Sequence, residues 1–257
     1  YPDKKMFIDT HCHLTDNYVS GDLSDVISRA AAAGVGMMIC PTADPDDIQD
    51  AINIAQTHDN IFATIGIHPE YAGVDASQYL TDAVLENPRV VGVGEIGLDY
   101  HERDDNRTAQ IKLFEQQLGL AKKHNLPVAI HTRDAESDTA AILTGDVRGV
   151  MHCFTSSWDL AKKMLDRGFH FSASGILTFK NASEIRETFS KIPIDRIVIE
   201  TDSPYCAPVP YRGKTCEPAF VIETARVLAD IHGLQLADLE SILYQNTMNL
   251  YPKCHVK

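Results

Sequence analysis

The 257-residue sequence predicts an α/β fold, a single (β/α)₈ barrel of the TIM type with an extra C-terminal helix. Three observations predict it: short apolar runs suited to buried strands, segments of helical period between them, and a length typical of such barrels. Strict alternation of strand and helix implies a parallel sheet with right-handed crossovers. Eight repeats favour closure into a barrel over the alternative, an open doubly wound sheet.

The predicted strands are short runs rich in apolar residues. In chain order they cover residues 6–8, 36–40, 62–65, 90–93, 127–130, 149–151, 169–173 and 197–199. Because each run is apolar throughout rather than alternating, both faces of the predicted sheet should be buried.

Helical periodicity fills the intervals between these runs. It is clearest where Ile111, Phe114, Leu118 and Ala121 recur at spacings of three and four and form one apolar face. Similar patterns cover residues 22–33, 45–56, 158–167, 182–189, 218–232 and 237–250. We find no internal repeat or dividing linker, so residues 6–257 are predicted to form one domain, and residues 1–5 are interpreted as a tag remnant or an extension.

Composition narrows the classes of function. A formal net charge of −13 argues against a protein that coats nucleic acid non-specifically, but not against an enzyme that contacts phosphate through bound cations. We predict no membrane span, and no signal peptide because Asp9, His11 and His13 interrupt any apolar segment. Six cysteines without a C-x-x-C pair indicate reduced thiols, small packing residues and a cytoplasmic location. The sequence indicates no oligomeric state.

Residues that bind metals recur where the predicted strands end. His11 and His13 follow the first strand two residues apart, so alternation sends both side chains to the same side. The fourth, fifth, sixth and eighth strands end at Glu95, His131, His152 and Asp202. In a barrel these positions converge at the carboxyl face, and mixed nitrogen and oxygen donors suit Zn²⁺, Mn²⁺ or Mg²⁺. Six donors are too many for one catalytic ion, so we predict two divalent ions bridged by a carboxylate.

One motif points elsewhere and is set aside. Gly92, Gly94 and Gly97 match the G-x-G-x-x-G pattern of dinucleotide binding. That fingerprint requires a helix that opens directly on the glycines, whereas nine further residues precede the next helical pattern here. We therefore predict no organic cofactor and expect the glycines to let the backbone bend around Glu95.

These motifs together resemble the TatD family of metal-dependent deoxyribonucleases, within the amidohydrolase-like group of barrel enzymes. The matching stretches, in order, are Asp9-Thr-His11-Cys-His13, Gly66-Ile-His68-Pro69, Gly94-Glu95-Ile-Gly97-Leu-Asp99-Tyr100, His131-Thr-Arg133-Asp134, His152-Cys-Phe154, Glu200-Thr-Asp202-Ser-Pro204-Tyr205 and Pro210-Tyr-Arg212-Gly213-Lys214. The sequence departs from the family pattern at Cys206, where a larger apolar residue is usual, and at Cys216, where Asn is common before Glu-Pro.

The resemblance implies hydrolysis of phosphodiester bonds in DNA, most simply as a 3′→5′ exonuclease acting on single-stranded ends. It implies a first ion held by His11, His13 and Asp202. Glu95 would bridge this ion to a second, held by His131 and His152.

The resemblance also implies roles around the ions. Asp202 is the candidate general base, and His68 would contact the scissile phosphate or the attacking water. Arg133, Arg212 and Lys214 are candidates to contact phosphates, with ordinary solvated charges as the alternative. Tyr205 is a candidate to stack on a base, with simple packing as the alternative. Asp9 and Glu200 are expected to lie behind the ligands, where Asp9 would orient an imidazole.

Two other functions remain open. The same centre could hydrolyse a carbonyl substrate, such as a lactone, an amide or the ester of misacylated tRNA. A non-enzymatic partner protein could retain its metals structurally, although structural sites are closed and these residues line an open mouth.

Overall fold

A nearly closed parallel barrel forms the centre of the molecule in the computed structural model, which describes residues 6–255. The strands are β1 (Phe7–Asp9), β2 (Val35–Pro41), β3 (Ile61–Thr64), β4 (Val90–Asp99), β5 (Val128–Arg133), β6 (Gly149–Met151), β7 (His170–Ala173) and β8 (Ile197–Ile199). They pair in parallel in chain order. The amide and hydroxyl of Thr10 donate to Ile199 O at 3.1 and 2.9 Å, which joins β8 to β1. The predicted fold class is confirmed; the interpretation of residues 1–5 lies outside the described residues.

Helices cover the outside of the barrel. They are α1 (Leu23–Ala32), α2 (Ile48–Thr57), α3 (Asp82–Leu85), α4 (Arg107–Lys123), α5 (Glu136–Ile142), α6 (Trp158–Asp166), α7 (Ser183–Lys191), α8 (Val221–His232) and α9 (Leu236–Leu250). Each of α1 to α8 follows the strand of the same number, and α9 is the predicted additional helix. The sequence did not predict α3 or α5, because four and seven residues are too few to show a helical period. Among residues 6–255, no helix combines the length and apolar character needed to span a membrane.

The end of the chain covers the amino ends of the strands. The amide of Asn246 on α9 donates to the carbonyls of Ile194 and Ile197 where β8 begins. Lys253 Nζ donates to Asn87 O ahead of β4 at 2.9 Å. The buried ring of Tyr251 packs with apolar side chains of the barrel, among them Ile8, Ile39, Phe62, Val91, Val150 and Val198. This apolar packing leaves the carboxyl ends of the strands as the open face.

Glycines let β4 lie close to β5. A Cβ on Gly94 would lie 2.6 Å from Ala129 Cβ, and one on Gly97 would lie 1.9 Å from His131 O. Gly97 also has a φ of +145°, which side chains disfavour. These glycines are inside β4, which continues past the predicted end at residue 93 because the strand stays paired to β5 beyond Glu95. They therefore serve the approach of two strands that carry site residues.

Candidate metal centre

The loop after β1 carries His11 and His13 to the open face, where both are buried, 2% and 4% exposed. Backbone hydrogen bonds hold this loop on both sides. Cys12 N donates to Ile39 O at 3.1 Å, and His13 N donates to Ser203 O at 3.0 Å. The two imidazoles therefore point at the same place because the neighbouring strands fix the backbone between them.

A first donor set forms around one oxygen of Glu95. It consists of Glu95 Oε2, His11 Nε2, His13 Nε2 and Asp202 Oδ1. His11 Nε2 lies 3.5 Å from both carboxylate oxygens. His13 Nε2 lies 3.6 Å from the Glu95 oxygen and 3.7 Å from the Asp202 oxygen. Residues from β4 and from the loops after β1 and β8 thus meet at one point.

A second donor set forms around the other oxygen of the same carboxylate. His131 Nδ1 and His152 Nε2 each lie 3.1 Å from Glu95 Oε1. His68 Nε2 lies further away, at 3.8 Å from that oxygen. The structure therefore brings all six predicted metal ligands together, with Glu95 between two groups of donors.

Carboxylates orient both imidazoles of the second donor set. Asp99 Oδ2 lies 2.8 Å from His131 Nε2, and Glu200 Oε1 lies 2.9 Å from His152 Nδ1. Such contacts fix the ring orientation and tautomer and leave the other nitrogen for a ligand. Glu200 lies behind a candidate ligand, as expected. Asp99 was not predicted as a site residue, although a carboxylate at the end of the strand that carries Glu95 was a usable signal.

Asp9 has a different role from the one expected. Its buried carboxylate accepts hydrogen bonds from His11 N at 3.2 Å and from the amide and hydroxyl of Thr201. These bonds join the loop after β1 to the loop after β8, and they reach the backbone of His11 rather than its imidazole. Burial raises the pKa of Asp9 to about 7, although the hydrogen bonds from Thr201 act to lower it. Asp9 therefore positions the first donor set through the backbone, rather than through a ring.

Both donor sets fit divalent cations. His11 Nε2, a member of the first donor set, is buried without a hydrogen-bond partner among the described residues, which is unfavourable unless a ligand is present. Burial alone would raise the pKa of Glu95, but the charge of His152 and hydrogen bonds from the surrounding imidazoles hold it well below its usual range. Donors of one zinc ion lie about 2.0–2.2 Å from it, hence less than about 4.4 Å apart. The distances from the imidazole nitrogens to the Glu95 and Asp202 oxygens, 3.1 to 3.7 Å, are within this limit.

His68 lines the centre as a neutral ring. Burial lowers its pKa to about 4, despite the opposing charge of Glu95. Its Nδ1 accepts a hydrogen bond from Glu70 N at 3.1 Å, so the ring proton lies on Nε2, which faces the centre. This geometry makes His68 a hydrogen-bond donor into the mouth of the barrel.

The predicted substrate residues fall into two groups. Tyr205, 55% exposed, lies edge-on to His13 with ring centroids 6.4 Å apart, directly beside the first donor set. Arg133, Arg212 and Lys214 make their contacts elsewhere: Arg133 pairs with Glu102 at 3.1 Å, Arg212 lies 3.5 Å over the ring of Phe179, and Lys214 lies 5.7 Å from that of Tyr211.

Tyr18 is a neighbour of the centre that sequence reasoning missed. Its ring stacks on His13, with centroids 4.4 Å apart, and meets Tyr205 edge-on at 6.5 Å. It follows a turn after the H-x-H motif, and its sequence context gives no signal of this placement. The two tyrosines therefore form an aromatic wall on one side of the first donor set.

Comparison with known proteins identifies the family of this chain. The family described as TatD related DNase matches residues 8–252. The chain belongs to the TatD family. It is thus a metal-dependent hydrolase.

Relatives in the TatD family match over nearly the full chain. YabD of Bacillus subtilis, an uncharacterized metal-dependent hydrolase, is 37% identical over 253 residues, covering 96% of this chain and 99% of YabD. YcfH of Escherichia coli, also an uncharacterized metal-dependent hydrolase, is 36% identical, with 96% of each chain covered. The crystal structure of YjjV, a TatD homologue of Escherichia coli, has a TM-score of 0.89 at 30% identity, covering 96% of this chain and 98% of that one.

Proposed function

We propose that this TatD-family hydrolase cleaves phosphodiester bonds of DNA with two divalent cations, as a 3′→5′ exonuclease on single-stranded ends. The observation that carries the proposal is the position of Glu95, which places one carboxylate oxygen in each donor set. The description of the matching family as TatD related DNase supports DNA as the substrate.

The chain's own residues would hold the cations in two places. His11, His13 and Asp202 would bind one with Glu95 Oε2, and His131 and His152 would bind the other with Glu95 Oε1. When bound, two such cations lower the pKa of a water and stabilise the attacking and leaving oxygens of an in-line displacement. Mixed imidazole and carboxylate donors are compatible with Zn²⁺, Mn²⁺ and Mg²⁺, so the donor set itself does not select among them.

Asp202 acts as the general base. Burial would raise its pKa, but a hydrogen bond from His13 and the charge of His152 lower it below the usual range, so the carboxylate is ionised at neutral pH. One of its oxygens belongs to the first donor set, and the other, Oδ2, faces away toward Cys206 at 4.0 Å. A carboxylate beside the donors is placed to take the proton of an attacking water.

His68 donates a hydrogen bond to the scissile phosphate. Because its ring is neutral and its proton lies on Nε2, it can contact a phosphate oxygen without adding a charge to the centre. Donors aimed at the position where charge develops contribute strongly to catalysis in sites shielded from water.

The aromatic wall favours unpaired bases. Tyr205 has an exposed ring next to the first donor set, and stacking requires a base that has left the duplex. Arg212 and Lys214, on the loop after β8, would contact flanking phosphates. The net charge of −13 argues against extended contact with a phosphate backbone, which suits binding of a strand end better than binding along a duplex.

A gel assay tests the proposal. Protein stripped with chelator and re-supplied with Mg²⁺, Mn²⁺ or Zn²⁺ is incubated with single-stranded DNA labelled at its 5′ end, alongside Glu95→Gln and the control Glu102→Gln. We expect a metal-dependent ladder that shortens from the 3′ end for the wild type and the control, and intact DNA for Glu95→Gln. Internal fragments would contradict exonuclease polarity. Intact DNA with every metal, together with turnover of lactones or misacylated tRNA, would replace DNA with a carbonyl substrate.

A further inference from the structure

We infer that Cys153, Cys206 and Asp202 form a separate binding site for a thiophilic divalent cation such as Zn²⁺ or Cd²⁺, adjoining the first donor set. The two Sγ atoms and a carboxylate oxygen of Asp202 all lie within 4.8 Å of one another. Cys206 Sγ lies 4.0 Å from Asp202 Oδ2, the oxygen that the first donor set does not use. All three residues are partly exposed to solvent.

These two cysteines differ from the other four. Cys12, Cys40, Cys216 and Cys254 are buried, in agreement with the expectation that each is a small packing residue. Cys153 and Cys206 are only partly buried and lie at the open face of the barrel. They are 53 positions apart in the sequence, so spacing gave no sign that their thiols meet.

The backbone directs these side chains toward one another. Cys153, Asp202 and Cys206 have φ values of 43°, 56° and 56°, in the left-handed region that costs an L residue about 1–2 kcal/mol. Gly175 packs against the backbone of Cys206. A Cβ on Gly175 would lie 2.0 Å from Cys206 O, so glycine leaves the room that this backbone needs. Uncommon backbone conformations persist where the surroundings fix them, and they concentrate at functional sites. The packing thus holds the two thiols beside the carboxylate.

The donor chemistry selects soft cations. Two thiolates and a carboxylate are three protein ligands, which leaves a fourth position of a tetrahedral ion open. With bonds of about 2.3 Å to sulfur and about 2.0 Å to oxygen, ligand atoms of one zinc ion lie at most about 4.3 Å apart for the sulfur–oxygen pair. The distance between Cys206 Sγ and Asp202 Oδ2 satisfies this limit. Mg²⁺ prefers oxygen donors, so it should not occupy this site.

The position of the site has a consequence for turnover, which rests on the proposed function. A cation bound by Cys153 and Cys206 would engage the second oxygen of Asp202, the residue proposed as general base. A thiophilic cation should therefore inhibit the enzyme loaded with Mg²⁺. Binding itself does not depend on what the enzyme hydrolyses.

Cobalt spectroscopy tests the site without using turnover. Reduced, chelator-stripped protein is titrated with Co²⁺, and the near-ultraviolet charge-transfer band of a cobalt–thiolate bond is followed. The variants are Cys206→Leu and Cys153→Ala, with Cys254→Ala as the control, since Cys254 is a thiol at the opposite end of the barrel. We expect the band in the wild type and the control and its loss in both variants, while visible bands from cobalt on nitrogen and oxygen donors remain.

Two results would overturn the inference. One is the absence of a thiolate band at saturating Co²⁺ in fully reduced wild-type protein. Protein that contains a Cys153–Cys206 disulfide as purified is reduced first, and a missing band after reduction counts against the inference in the same way. The other is a band that persists in Cys206→Leu. In a parallel assay with Mg²⁺-loaded enzyme, equal inhibition of the wild type and Cys206→Leu by Cd²⁺ would contradict the coupling to Asp202.

Discussion

The two donor sets share Glu95 but are held in different ways. In the second set, Asp99 and Glu200 each contact the far nitrogen of an imidazole. Burial lowers the pKa values of these imidazoles, but the carboxylates more than offset it and raise that of His131 to about 8. In the first set, His11 and His13 each have a buried nitrogen without a hydrogen-bond partner among the described residues, and backbone bonds position both rings.

This difference indicates how each set should respond to change. Imidazoles backed by carboxylates are pre-oriented and more basic, so the second set should retain its cation more tightly. The first set depends on the junction between β1 and β8 and on Asp202. Substitutions that affect one set, both or neither should therefore have effects of different size.

Replacing the shared residue should have the largest effect. Glu95→Gln removes a carboxylate oxygen from both sets and should reduce turnover by about 10³-fold or more, since each bound cation contributes several kcal/mol to stabilising the transition state. Metal content measured by atomic emission after gel filtration should fall together with activity. A variant that keeps both its metals and its turnover would remove Glu95 from the centre.

Asp202→Asn changes the first set alone. Asparagine tolerates the left-handed backbone at this position, so the melting temperature should stay close to that of the wild type. Loss of the proposed base should lower kcat by about 10²- to 10⁴-fold, with a smaller change in KM. Steady-state kinetics at saturating metal check this, and near-normal kcat would exclude Asp202 as the base.

Asp99→Asn weakens the second set through His131. We expect activity or metal affinity to fall by about 10- to 100-fold, the usual effect of removing the partner of a ligand imidazole. Asp134→Asn is the matched control, because its carboxylate contacts the exposed His101 rather than a donor. Equal effects of the two substitutions would contradict the orienting role of Asp99.

A histidine outside both sets should give the smallest effect. Burial and the charge of Arg196 lower the pKa of His170 to about 4, against the opposing charge of Asp195. Between about pH 6.5 and 4, the His170 ring is protonated in the unfolded chain but not in the folded protein. The free energy of unfolding therefore keeps its full value above pH 6.5 and decreases as the pH falls below it. At pH 5 the loss should be about 1–2 kcal/mol. Urea unfolding of the wild type and His170→Gln at pH 7.5 and pH 5 measures it, and identical pH dependence would contradict it.

Apolar runs and strand-end residues made most of this architecture predictable. When helices connect eight buried parallel strands, few strand orders are possible. The carboxyl ends of the strands converge, which brings His11, His131 and Asp202 together. The short helices α3 and α5 were not predictable from periodicity, because tertiary packing rather than a repeated pattern defines them.

The contacts behind the candidate ligands were harder to predict. Alternation gives the side of a strand on which Asp9 and Asp99 lie, but not whether a carboxylate contacts a ring or a backbone amide. The meeting of Cys153 and Cys206 depends on left-handed residues in two loops, for which neither cysteine gives a sequence signal. The family assignment supplied the hydrolase class, and the finer substrate assignment remains the proposal made above.

Anomalous diffraction from crystals soaked in Mn²⁺ tests the central claim, a centre of two cations bridged by Glu95, most directly. We predict two anomalous peaks, one among His11, His13 and Asp202 and the other between His131 and His152, each in contact with a different oxygen of Glu95. A single peak at saturating Mn²⁺, or two peaks that do not share the Glu95 carboxylate, would contradict the account.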